Sequence, residues 1–128
     1  MRLLGIDFGT KKIGLAISDT NGRFAMPFKV IKNDTLKSIV DAVVGICQAE
    51  KIDQIVIGKS VNYQNEANPV DKSAQAFVTH LQVELSIPIV FEVETLTTKE
   101  AERIIGKDSL TDARAAALIL KSFIDRQN

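Results

Sequence analysis

Cysteine is nearly absent from this chain. Cys47 stands alone and has no partner for an intramolecular disulfide. Neither sign of charge is in excess, since 16 basic residues balance 16 acidic ones, so no global positive field draws the protein onto a polyanion and any such site has to be local. Aromatic residues make up 5% of the sequence, and Tyr63 alone makes a thin platform for stacking on a base. No charged leader, long apolar segment or small-residue cleavage site precedes the first apolar run, which predicts a reducing cytoplasm and no membrane partner. His80 has no Cys, Asp or Glu at metal-ligand spacing and reads as a surface or core-edge residue. No nucleophilic triad is visible, nor any internal repeat or linker.

What is present is an ordinary globular composition, 45% hydrophobic and 25% charged, in 128 residues. That length suits a single domain over residues 1–128 and leaves no room for two large lobes around a cleft. Residues 2–7 and 12–18, rich in Leu and Ile around Gly9-Thr10-Lys11, predict two antiparallel strands joined by a short turn. Asn21-Gly22 marks a second hairpin turn, and Phe24 to Lys32 a third strand that Pro27 confines to a sheet edge or a bulge.

Asp34 is the expected N-cap of a helix bearing Leu36, Ile39, Val40, Val43, Val44 and Cys47 on one face. Gln54 to Gly58 reads as a strand buried on both faces, followed by a polar loop from Lys59 to Asn68. Val70, Ala74, Phe77, Val78, Leu81 and Leu85 form a second helical stripe that ends before Pro88. Ile89 to Glu94 is the next strand; Thr97 to Glu100 has capping-box form and opens a short helix closed by Gly106. A last helix starts near Ser109 to Asp112 and carries Ala116, Ile119, Leu120 and Phe123.

The order βββαβαβαα predicts an α/β fold: a mixed five-stranded sheet, its first three strands antiparallel, with helices on both faces. In such sheets, sites gather where the parallel strands end. Three carboxylates fall there: Asp7 closing the first strand, Glu94 closing the fifth and Asp112 opening the last helix. Mg²⁺ or Mn²⁺ takes oxygen ligands of this kind, and a pair of such ions can support phosphodiester hydrolysis. Each carboxylate also has a plainer reading, as a turn residue, an exposed strand-end charge or a helix N-terminal acid. An unpaired charge in a central strand is costly, which favours function for Asp7. Gly9 allows close backbone approach or simply makes the turn, and Thr10 offers a hydroxyl to a phosphate. Lys11, Lys12 and Lys59 are candidate phosphate contacts, with Arg103 and Arg114 weaker ones; isolated cations are more often solvated surface.

Gly5 to Ala16 with its Asp7-Phe8-Gly9-Thr10-Lys11 core, Ile55 to Gly58 followed by Val61-Asn62, Glu94 with Leu96 to Ala101, and Asp112-Ala113 with Ala115 to Leu120 together resemble the YqgF (RuvX) family. This is a bacterial branch of the ribonuclease H-like superfamily, and the resemblance covers nearly the whole chain. It implies strand order 3-2-1-4-5 and a metal-dependent nuclease, described either as a Holliday-junction resolvase or as an enzyme trimming the 5′ end of pre-16S ribosomal RNA. By resemblance Asp7, Glu94 and Asp112 map onto the acidic triad that holds Mg²⁺ or Mn²⁺, and the partner is structured RNA or branched DNA, with a homodimer left open. The chain departs from the family at Val93-Glu94-Thr95, where Asp-Glu-Arg is usual, and at Gly58-Lys59-Ser60, where Gly-Leu-Pro is usual; Lys107 to Thr111 carries no basic cluster.

Two other functions fit parts of the sequence. One is a non-catalytic RNA- or protein-binding module on the same fold, motivated by Val93, Thr95 and the neutral charge. The other is a single-lobe ATP-binding protein, since Asp-Phe-Gly-Thr-Lys also resembles the phosphate-binding hairpin of actin-type and sugar-kinase ATPases; the short chain counts against it.

Overall fold

The computed structural model describes residues 1–59, 69–93 and 111–127. The elements are β1 (Leu3–Phe8), β2 (Lys12–Ser18), β3 (Ala25–Lys32), α1 (Leu36–Ala49), β4 (Gln54–Lys59), α2 (Pro69–Glu84), β5 (Ile89–Val93) and α3 (Thr111–Gln127). Glu94, Tyr63, Arg103 and the short helix expected after Thr97 lie outside the described residues.

The five strands form one sheet in the order β3-β2-β1-β4-β5. β1 to β3 are antiparallel neighbours, whereas β4 and β5 run parallel to β1, as right-handed crossovers require. Side chains alternate between the faces. Leu4, Ile6, Phe8, Ile13, Leu15, Ile55 and Ile57 face α1 and α2, whose Ile39, Val43, Cys47, Phe77 and Leu81 complete that core. Leu3, Ala16 and Val56 face α3, with its Ala116, Ile119, Leu120, Phe123 and Ile124. Both faces of β1 and β4 are therefore covered, which explains their nearly continuous apolar runs.

Three of the boundaries that differ from the sequence reading do so for a local reason. β1 continues past Asp7 to Phe8, because the Phe8 ring is buried against Phe77 with centroids 5.3 Å apart. Thr35 rather than Asp34 caps α1: its backbone is extended and its Oγ1 accepts from the Ser38 amide at 3.2 Å. β4 extends one residue into the expected loop because Lys59 still pairs with Val93. Pro27 fits both expectations, since β3 is an edge strand and the register slips between Leu15 and Ala16, where Pro27 pairs with Ala16. Gly22 takes φ 66° in the second turn, where the Asp19 carboxylate accepts from the Arg23 and Phe24 amides at 2.7 and 2.9 Å. At the end of α1, Lys51 adopts φ 53°, the left-handed conformation usually given to glycine.

Helix α3 crosses its face of the sheet diagonally. Its first residues lie against β2 at Gly14, its middle against β1 at Gly5, and its last turns beside β5, where the buried Glu92 accepts from Ser122 Oγ at 3.3 Å and pairs with Arg126. The two glycines are what let the helix backbone approach so closely. A methyl group on Gly5 would sit 2.9 Å from the Ala116 carbonyl oxygen, and one on Gly14 would sit 1.8 Å from that of Asp112. No helix among the described residues is long and apolar enough to cross a membrane.

Candidate active site

The site follows from that crossing. Asp7 lies opposite Gly14 in the β1–β2 register, and directly opposed residues project from the same face of a sheet. Since Leu3 and Gly5 on β1 face α3, Asp7 faces α3 as well. The Asp112 backbone rests on Gly14, and Thr111 and Ala113 on either side of it are buried, which fixes the start of the helix. Asp7 and Asp112, both partly exposed, are thereby brought to one end and one face of the sheet, next to where β1 and β4 end.

The turn after β1 borders these carboxylates. Gly9 donates its amide to the Lys12 carbonyl at 3.0 Å, and a methyl group on Gly9 would lie 2.5 Å from that oxygen, so the turn itself demands glycine. Thr10, Lys11 and Lys12 are exposed at its rim. Lys59 is the last residue of β4, which ends at the same end of the sheet as β1. Arg114 is half-buried on α3.

His80 has no catalytic setting: it is exposed on α2, with Nδ1 2.9 Å from the Ala76 carbonyl oxygen. The Cys47 thiol is pushed up to about 11 by burial and remains protonated at neutral pH. A cavity of about 440 Å³ lined by Met1, Leu3, Gln54, Val90 and Phe123 lies at the opposite end of the sheet from Asp7.

Two neighbours of the turn escaped the sequence reading. Asn33, just past β3, donates Nδ2 to the Gly9 carbonyl at 2.7 Å and its own amide to the Lys11 carbonyl at 2.9 Å, clamping the turn from the side. Lys32 lies directly across from Lys12. Their only signal in the sequence is a polar pair ending an apolar strand, and their role becomes legible once the β2–β3 register is known. Glu92 also went unnoticed. Ser122 and Arg126 hold it near the far end of α3, about ten residues and roughly 15 Å along the helix from Asp112.

Across residues 1–126 the chain matches the family described as RuvX, Holliday junction resolvase. It belongs to that family of nucleases. It is 33% identical over 136 residues to a Thermoanaerobacter pseudethanolicus protein named "Putative pre-16S rRNA nuclease", covering 99% of this chain and 98% of that one. A Brucella canis relative of the same name is 40% identical over 132 residues, with 95% and 80% of the two chains covered. Among solved structures, T. thermophilus RuvC in complex with a Holliday junction substrate superposes with a TM-score of 0.68 at 19% identity, covering 99% of this chain and 96% of that one. A likeness at that identity bears on the fold, and it agrees with the ribonuclease H-like sheet expected from the resemblance.

Proposed function

We propose that this RuvX-family protein hydrolyses phosphodiester bonds in structured nucleic acid in the cytoplasm, with Mg²⁺ or Mn²⁺ held by Asp7, Asp112 and Glu94. The relatives' names point to the 5′ end of pre-16S rRNA as substrate, and the family description to a four-way DNA junction. The observation that carries the reading is the contact at Gly14, which brings Asp112 to the strand position facing Asp7.

The donors fit a hard cation, because carboxylate oxygens are what Mg²⁺ and Mn²⁺ take. Among the described residues no group of three or more His, Cys, Asp or Glu side chains is gathered to hold a metal, so the proposed set draws its third carboxylate from Glu94. When bound, a divalent cation supplies the charge that lowers the pKa of an attacking water and offsets the charge developing on the phosphate. The chain does the rest. Asp7 and Asp112 offer carboxylate oxygens as acceptors, and the start of α3 keeps them in register. Thr10 can donate its hydroxyl to a phosphate oxygen at the rim of the turn, while Lys11, Lys12 and Lys59 track the backbone by charge. Val93 and Thr95 leave no arginine beside Glu94, so the grip on substrate moves to other cations.

The test incubates the purified protein with a structured RNA carrying the 5′ leader of 16S rRNA and with a four-way DNA junction, in Mg²⁺, in Mn²⁺ and in EDTA. Cleavage of either substrate that EDTA abolishes supports the reading, and the preferred substrate names the physiological class. Tight binding of both substrates without cleavage under any condition refutes it in favour of a binding module on this fold.

A further inference from the structure

Lys12 and Lys32 are direct cross-strand partners at the end of the β2–β3 ladder. Both are exposed, and among the described residues neither has an ion-pair partner, in contrast to cations such as Arg2, Lys37, Lys121 and Arg126, which sit against carboxylates. Like charges placed directly opposite each other destabilise a sheet, so the pairing costs stability and gains nothing from the fold. Its placement gives it a use. Lys12 lies two residues before Gly14 on the same face of β2, so the pair projects from the face that carries Asp7 and Asp112, just beyond the start of α3. Asn33, the next residue after Lys32, binds both carbonyls that flank Thr10 and fixes the end of β3 to the turn.

We infer that Lys12 and Lys32 form a two-cation seat for a backbone phosphate of the substrate, adjoining the Asp7–Asp112 centre and held in place by the Asn33 clamp. The inference rests on the nuclease reading and assigns Lys32 a substrate contact. Two ammonium groups on neighbouring strands are mutually repulsive when empty and are relieved by a shared phosphate oxyanion. The same chemistry serves RNA and DNA, since both present the phosphate and the seat has no base-reading element. It also supplies cationic grip where Thr95 offers none.

The experiment measures binding of the 16S leader RNA and of the four-way DNA junction by fluorescence anisotropy, in Ca²⁺, over a range of KCl concentrations. Wild type, Lys12→Gln, Lys32→Gln, the double variant and, as a control cation on α1, Lys37→Gln are compared. Each substitution in the seat is expected to lower the slope of log K against log salt by about 1 and to weaken binding about tenfold near 0.1 M salt. The double variant should lose close to two units of slope, and Lys37→Gln none.

Thermal unfolding separates this from a folding defect, because removing one lysine of a repulsive pair should leave the melting temperature equal or higher. Unchanged slopes for Lys32→Gln, with wild type still binding and cleaving, overturn the seat and leave the nuclease reading standing. Failure of wild type to bind either substrate overturns both. A response to one substrate alone supports the seat and assigns it to that nucleic acid.

Discussion

Replacing Gly14 with alanine tests how the site is assembled. The added methyl would lie 1.8 Å from the Asp112 carbonyl oxygen and 2.2 Å from its carbon, both backbone atoms of a helix start flanked by buried Thr111 and Ala113. Bringing that contact out to even 3.0 Å requires a movement of at least 1.2 Å. The helix cannot yield freely, since its next turns are seated on Gly5 through Ala116 and Leu120. Overpacking of this kind costs about 1–3 kcal/mol, and a displacement near 1 Å at a reacting centre costs about 100-fold in rate.

Gly14→Ala is therefore expected to remain folded, with a urea midpoint lowered accordingly, and to cleave about two orders of magnitude more slowly at saturating substrate. Gly5→Ala is the control, because its methyl would meet Ala116 and Leu120 at 2.9 Å and asks for a shift of a few tenths of an ångström away from the carboxylates. It should lose stability with much less loss of turnover. A Gly14→Ala protein with wild-type stability and rate would refute the argument that this glycine sets the position of Asp112.

Three further outcomes follow from the fold. Lys51→Gly should raise stability by about 0.5–1 kcal/mol in urea unfolding, because it relieves a left-handed residue at the end of α1 at the expense of a more flexible unfolded chain; equal or lower stability contradicts this. The Asp19 carboxyl is held below its ordinary value of 3.8 by the Phe24 and Arg23 amides, so its contribution is full above 3.8 and is lost as pH falls through the lower folded value. The stability gap between wild type and Asp19→Ala should narrow over that acid range, and an NMR titration placing Asp19 at or above 3.8 would contradict it. Arg126→Leu should cost about 1–3 kcal/mol by leaving the buried Glu92 carboxylate with Ser122 alone, and Glu92→Gln in the same chain should recover part of the loss; additive effects would mean that the two residues do not interact.

Much of the fold was legible because its signals are local. Turn residues at Gly9 to Lys11 and Asn21-Gly22 separate the strands, and helical stripes such as Ala74, Phe77, Val78 and Leu81 are the buried face of α2. The cap of α1 was misplaced by one residue because Asp34 and Thr35 are both good caps, and only the backbone conformation of Thr35 distinguishes them. Asp7 could be singled out because a carboxylate in an apolar central strand needs a reason. The features that assemble the site were harder to read. Gly14 sits in an unremarkable Ile13-Gly14-Leu15 run, where a strand glycine announces a close approach but not to what, and the importance of Lys32 depends on a register that the slip near Pro27 alters.

The central claim is that Asp7 and Asp112 belong to one catalytic centre. The most direct measurement is the single-turnover cleavage rate of the preferred substrate by wild type, Asp7→Asn and Asp112→Asn in Mg²⁺, with unfolding curves showing each variant folded and anisotropy showing that it still binds. The account predicts that each substitution abolishes cleavage while binding persists, because both remove the same step. An Asp7→Asn protein that binds and cuts as fast as wild type would contradict it.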